Sequence, residues 1–320
     1  ARARKQIKAI QLKAKIKNIL VIRPDAIGDL VLTLPAIHVL KDNFPLSSLT
    51  VLASEYTRPV ISNDPAVAAV RYDYKLRRKE YDLSVNFYNQ AKDTLAVFLS
   101  AIPLRIGDSS RILSGWMNNL RVFRKWNDIS RHEVEFNLDL LSPLGIEGSG
   151  EKPKIGIDPS AAARIDLILS QNNIRSSGLL VIIHIGGGSS HNKSWNNLGY
   201  AEVADWLAEV KQARVVLAGG PDATLRTQKI VGICQHPPLD LTGKLSLSEL
   251  MALLDRSKFY LGTDTGPTHL AAALNKPLVA IFPAKWSKPL RWGPWKTRHL
   301  IVRRPSRCSI VCRPPACKEN

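Results

Sequence analysis

Three short polar stretches hold the side chains that could do chemistry. The first is Asp25-Ala-Ile-Gly-Asp29, directly after an apolar run. A carboxylate at a strand end can take a proton from a hydroxyl as a general base. Asp29 would equally be favoured there by the dipole of the helix that follows. The second runs Gly186-Gly-Gly-Ser-Ser-His-Asn-Lys-Ser-Trp195. Gly187 and Gly188 allow close backbone approach to a ligand, Ser189 and Ser190 add hydroxyl donors, and Lys193 brings a point charge suited to a phosphate. Taken alone, Lys193 reads as a surface lysine. The third is Gly262-Thr-Asp-Thr-Gly-Pro-Thr-His269. Gly262 and Gly266 permit a tight turn, and Pro267 suits the first turn of a helix. Asp264, Thr265 or Thr268 could cap that helix. A glycine turn that opens a helix presents unpaired N–H groups and a positive dipole end, so it is suited to an anion, with His269 and the hydroxyls of Thr265 and Thr268 as further polar donors. An ordinary strand–turn–helix connection with no ligand is the other reading. None of the three is a Walker A loop or a G-x-G-x-x-G opening a helix after the first strand.

The elements that must carry these loops follow a βα rhythm. Asn18 to Ile22, Leu49 to Ala53, Asp82 to Phe87 and Leu104 to Gly107 are apolar and strand-like, with helical stretches at Leu30–Phe44, Ala91–Ser100 and His132–Leu144. Pro35 must kink the first helix or begin its regular part. Ser109 to Asp128 reads as one long irregular loop. After the Gly/Ser/Pro break at Glu147–Pro153 the rhythm resumes, with strands at Leu179–Ile185, Arg214–Ala218, Phe259–Leu261 and Leu278–Phe282. Apolar strands alternating with helices imply parallel sheets covered on both faces. The expected organisation is two doubly wound α/β domains: residues 1–155, a connecting segment 156–177, and residues 178–320. Ligands of such folds bind at the carboxyl ends of strands.

The 320 residues carry a net charge of +18. Such a field favours anionic partners: nucleic acid, an acidic membrane surface or a phosphorylated ligand. No helix-turn-helix, zinc-finger spacing or aromatic RNA-binding signature is present, so nucleic acid is not expected. No apolar run is long enough to span a bilayer, and the basic N-terminus lacks the h-region of a secretory signal, so a cytoplasmic location is expected. Cys234 stands alone, and the Cys308, Cys312 and Cys317 spacing is not a standard zinc pattern. No D-x-D pair occurs. A sugar diphosphate would then be neutralised by Lys193, hydroxyls and helix N-termini, and neither a metal nor a cofactor is expected.

Ile19-Leu-Val-Ile-Arg-Pro-Asp-Ala-Ile-Gly-Asp-Leu-Val-Leu-Thr-Leu-Pro-Ala36 resembles the amino-terminal signature of the ADP-heptose:lipopolysaccharide heptosyltransferases, glycosyltransferase family 9. His184 to Trp195, Val215 to Asp222 and Asp264 to Ala273 resemble the family's later motifs, in the same order. The resemblance implies a GT-B fold, two Rossmann-like domains facing across a cleft, with the acceptor on the first and the nucleotide-sugar on the second. It implies inverting, metal-independent transfer of a heptose from an ADP-sugar to the anionic lipopolysaccharide inner core, at the cytoplasmic surface of the inner membrane. Asp29 matches the family's catalytic base; Ser189, Ser190 and Lys193 match donor-phosphate contacts; Asp264, Thr265, Gly266 and His269 match the donor signature, with Gly187, Gly188, Gly220 and Asp222 as further donor candidates. The sequence departs from the pattern at Ala223, where relatives often carry a glutamate that holds the nucleotide. It also shows no closing helix before Asn320. A GT-B transferase with another donor or acceptor, or a non-catalytic nucleotide-sugar-binding protein, remains an alternative.

Overall fold

A computed structural model describes residues 15–125, 128–148, 150–175, 177–186, 195–283 and 287–303, apart from the Leu113 side chain. The chain forms two compact units that divide between Gly156 and Ile157.

In the first unit, β1 (Asn18–Ile22) leads into α1 (Ile27–Val31) and α2 (Leu34–Asn43), followed by β2 (Ser48–Leu52), β3 (Ala69–Arg71) and β4 (Leu83–Asn86). Then come α3 (Ala91–Leu99), β5 (Leu104–Asp108), α4 (Ile112–Met117), β6 (Leu120–Val122) and α5 (Glu133–Asp139). The sheet order is β3-β2-β1-β4-β5-β6, with every pairing parallel. The order reverses between β1 and β4, which is the topological switch point of a doubly wound sheet. Four of the five residues of β1 are buried, because helices cover both faces. Leu20 and Ile22 pack with Leu52, Tyr81, Val97 and Ile102 to form one layer of the core.

Two sequence expectations change here. The stretch Leu30–Phe44 is not one helix: the chain breaks at Leu32–Thr33, and Pro35 lies in the first turn of α2, where its missing N–H costs nothing. Ser109–Asp128 is not a plain loop either, since it contains α4 and the edge strand β6.

The second unit holds α6 (Pro159–Gln171), β7 (Leu180–His184), α7 (Asn197–Lys211), β8 (Arg214–Ala218), α8 (Thr224–Ile233), β9 (Leu239–Asp240) and α9 (Leu247–Arg256). It continues with β10 (Phe259–Thr263), α10 (Gly266–Ala273), β11 (Leu278–Phe282), α11 (Pro289–Trp292) and β12 (His299–Arg303). The order β12-β11-β10-β7-β8-β9 is again wholly parallel and repeats the topology of the first sheet, with its switch point between β7 and β10. Helix α6 lies in the segment expected to connect the domains. It is tied to α9 by the Arg256–Asp166 pair at 2.8 Å and the Arg164–Glu249 pair at 3.2 Å. The closing helix missing from the sequence reading would lie beyond Arg303, outside the described residues.

Candidate functional site

Both switch points carry expected site residues. In the first unit the chain leaves β1 at Ile22, and Arg23 turns its side chain inward until only 3% is exposed. Its Nη1 donates to the Phe87 carbonyl at 2.6 Å, just beyond β4, and so spans the switch point. Its Nη2 donates to Asp29 Oδ1 at 2.7 Å, and its Nε lies 3.1 Å from Asp25 Oδ1. Glu133 Oε1, from α5, is 3.9 Å from the same Nη2 and pairs directly with Arg124 Nη2. The Arg124 backbone N–H donates to Asp108 Oδ1 at 3.1 Å, which binds this segment to the end of β5. Asp25, Asp29 and Glu133 are thus gathered around two guanidiniums, with Arg23 where a cation between carboxylates would sit. Among the described residues no group of three or more His, Cys, Asp or Glu side chains is arranged to hold a metal ion.

Asp29 occupies the first turn of α1, where the helix dipole favours its charge. Its side chain keeps 27% of its surface exposed, so a substrate hydroxyl can reach the carboxylate that Arg23 holds from behind. Burial raises its pKa above the ordinary carboxylate value; Arg23 and Arg124 pull it down and Glu133 pushes it up. Burial pushes Asp25 further, up to about 7, against the pull of Arg23. Such a shift makes stability fall with pH, because the folded state keeps a proton that the unfolded state has already released. Asp25→Asn should therefore gain stability relative to the parent as pH rises from about 4 to about 7. Chemical denaturation of both proteins at pH 5 and pH 8 checks this, and a stability difference that does not change with pH would refute it.

The sequence reading singled out Asp29 but missed Arg23, Arg124 and Glu133. Arg23 had a local signal, a charge immediately after a buried strand. Arg124 and Glu133 had none, because tertiary packing alone brings them to the loop.

In the second unit β10 feeds α10 through Asp264 and Thr265. Thr265, the N-cap, is extended and makes no side-chain cap; Pro267 has no N–H, and the Thr268 N–H donates to the Thr265 carbonyl at 3.1 Å. Asp264 and His269 are 6% and 5% exposed. A Cβ at Gly262 would collide with the Tyr260 hydroxyl, which explains the glycine in the strand. Thr268 is not a ligand donor: its hydroxyl donates to the Thr263 carbonyl at 2.5 Å and meets Tyr260 Oη at 3.1 Å.

Beside this turn, His184 ends β7 in register with Gly262 and Ala218. Burial lowers its pKa to about 4, with Asp222 opposing, so the imidazole is neutral at pH 7. The carboxylate of Asp222 folds back over Gly220, where an added Cβ would lie 2.5 Å from Asp222 Oδ1. Asp264, Thr265, Gly266 and His269 thus share one strand end, with Gly220 and Asp222 two strands away across β7. Gly187, Gly188, Ser189, Ser190 and Lys193 lie outside the described residues. The residues flanking them are held by Arg226, which donates from Nη1 to the Gly186 carbonyl at 3.1 Å, from Nε to Asn197 Oδ1 at 2.8 Å, and from Nη2 to the Trp195 carbonyl.

Comparison with known proteins identifies the fold and the family. Lipopolysaccharide heptosyltransferase 3 of Escherichia coli is 28% identical over 298 residues, covering 84% of this chain and 83% of that one. The crystal structure of a glycosyl transferase family 9 protein from Veillonella parvula DSM 2008 superposes with a TM-score of 0.80 at 22% identity, over 90% of this chain and 86% of the other. E. coli ADP-heptose lps heptosyltransferase II gives 0.77 at 22% identity, over 90% and 91%. These likenesses establish the GT-B fold of two Rossmann-like units. The family model for glycosyltransferase family 9 (heptosyltransferase) matches residues 70–319. With a partly exposed, arginine-held carboxylate at one switch point and a glycine-turn helix without a side-chain cap at the other, this chain is a glycosyltransferase and belongs to glycosyltransferase family 9 (heptosyltransferase).

Proposed function

We propose that the protein transfers a heptose from an ADP-sugar to the lipopolysaccharide inner core, with inversion at the anomeric carbon and without a metal. The observation that carries this reading is Asp29: an accessible carboxylate held 2.7 Å from a buried guanidinium at a sheet switch point. Asp29 takes the proton of the acceptor hydroxyl as its oxygen bonds to the anomeric carbon, and the bond from that carbon to the diphosphate oxygen breaks on the opposite face. Lys193, Ser189, Ser190 and the α10 N-terminus stabilise the departing diphosphate, the large electrostatic contribution in such reactions. The heptosyltransferase relatives supply the donor and acceptor of this reading. Incubation of the chain with ADP-heptose and heptose-deficient lipopolysaccharide should add one heptose to the glycolipid and release ADP. Donor binding without transfer would favour a non-catalytic binding protein.

Ala223 supports a second reading for the nucleotide, because a common contact is missing there. Calorimetry should nevertheless show ADP binding at least tenfold more tightly than UDP or GDP, a difference of about 1.4 kcal/mol. Equal affinities would remove ADP from the assignment.

The acceptor reading places the enzyme at the cytoplasmic face of the inner membrane as a peripheral protein. Among the described residues no helix is long and apolar enough to cross a membrane. Ile112, Trp116 and Phe123, in the same stretch of sequence as Arg111 and Arg121, are exposed at 87%, 82% and 74%. Apolar side chains among basic ones suit an anionic lipid surface.

A further inference from the structure

We propose that helix α5 is the positioning element for Asp29, holding its carboxylate through Glu133 and its backbone through Asn137. The proposal rests on the reading of Asp29 as the base, and adds residues to it that do not touch substrate.

Glu133 and Asn137 are one helical turn apart, so both project from one face of α5. Both are buried, at 1% and 0% exposure. The start of the helix is fixed by His132, whose Nδ1 accepts from the Val134 N–H at 3.2 Å while its backbone N–H donates to Glu135 Oε2 at 2.7 Å. From this face two routes reach Asp29. In the first, Glu133 Oε1 pairs with Arg124 and lies 3.9 Å from Arg23 Nη2, the nitrogen bound to Asp29. In the second, Asn137 Nδ2 donates to the Leu32 carbonyl at 3.0 Å and to Thr33 Oγ1 at 3.3 Å. Thr33 Oγ1 in turn donates to the Asp29 carbonyl at 2.8 Å. Arg124 Nη1, 3.5 Å from Asn137 Oδ1, joins the routes.

The chemistry explains why a helix should bring a buried carboxylate here. A base paired with an arginine alone is depressed and weak. Glu133 draws part of the Arg23 and Arg124 charge to itself, so Asp29 keeps its orientation without losing its basicity. The charged groups facing Asp29 are Arg23 at the end of β1, Asp25 in the same loop, Arg124 after β6 and Glu133 on α5. Arg58, on the short 3₁₀ turn Arg58–Val60 packed near α1, is exposed to solvent.

Glu133→Gln in the full chain tests the proposal. It removes the negative charge that raises Asp29 and leaves both guanidiniums to the remaining carboxylates. ¹³C NMR titration of the Asp29 carboxylate, assigned by its loss in Asp29→Asn, should show a lower midpoint in Glu133→Gln than in the parent. With ADP-heptose and heptose-deficient lipopolysaccharide, the acid limb of the kcat profile should move to lower pH. The plateau should fall roughly tenfold with donor KM unchanged, as expected for a weaker and less well aimed base. Glu133→Asp, which keeps the charge, should restore most of the midpoint. An unmoved midpoint in folded Glu133→Gln overturns the proposal. If that variant does not fold, Thr33→Val serves instead. It breaks the backbone route without touching a charge and should lower kcat with the acid limb in place, and an unchanged kcat overturns the proposal. A moved midpoint in proteins that transfer no heptose supports the role of α5 and refutes the proposed heptose transfer.

Discussion

Asp29→Asn should lower kcat by roughly two orders of magnitude or more while leaving donor affinity unchanged, the usual contribution of a general base. Donor affinity is expected to hold because the donor candidates Asp264, Thr265, Gly266 and His269 belong to the other compact unit. The variant should also fold. The amide oxygen can still accept from Arg23 Nη2, which now lies 2.7 Å from Asp29 Oδ1. Burial raises the pKa of the native carboxylate, so the folded state pays for its charge at neutral pH and a neutral amide relieves that cost. Melting at pH 8 should therefore be no lower than in the parent, and lost turnover could not be ascribed to unfolding. The pH profile gives an independent check. Because the folded pKa lies above the usual carboxylate value, the acid limb of kcat should too, and Asp29→Asn should abolish that limb. Single-turnover kinetics with ADP-heptose, from pH 5 to pH 9, would measure both effects. Turnover within a few-fold of the parent would remove Asp29 from the catalytic role.

Much of the fold was legible in the sequence because parallel strands buried on both faces leave unbroken apolar runs. Leu180–His184 and Leu278–Phe282 are such runs, and each ends at a turn the sequence also marks. Edge elements were not legible. β12 is exposed along all five residues, so no burial pattern announces it, and only its pairing with β11 makes it a strand. β6 is three residues long and exists through its register with β5, Ile106 opposite Leu120 and Asp108 opposite Val122. Pro35 allowed two readings, and the structure selected the first turn of α2: Leu32 and Thr33 form a turn before it, with the Thr33 N–H donating to the Leu30 carbonyl at 3.0 Å. The site divides in the same way. Asp29 and the Gly262–His269 turn are local motifs. Arg23, six residues away, is local too, but the rest of the surroundings of Asp29 come from Arg124, Glu133 and Asn137, about a hundred residues further along. No window of sequence contains both sides of that contact.

The same burial that tunes Asp29 should make Arg23 the most costly residue of the first unit to remove. Arg23→Met takes away the guanidinium that faces Asp25, Asp29 and Glu133 and leaves those carboxylates short of compensation in a site where Arg23 itself is 3% exposed. Breaking a buried pair by deleting one partner costs about 3–5 kcal/mol. The Phe87 carbonyl also loses its 2.6 Å donor, so the tie between the ends of β1 and β4 goes with the charge. The penalty should depend on pH. Without the guanidinium, folding favours the protonated acids still more strongly, so the variant should recover part of its stability near pH 5 and lose it again as the pH rises past 7. Arg23→Lys should lie between, since one ammonium cannot place donors on Phe87, Asp29 and Asp25 at once. Hydrogen exchange read by mass spectrometry separates the two units. Peptides from β1 and β4 should lose protection at pH 8, while those from β7 and β10 keep theirs. Equal protection of β1 in parent and Arg23→Met at pH 8 would mean that the carboxylates find other partners, and that Arg23 is not what allows charge to be buried beside Asp29.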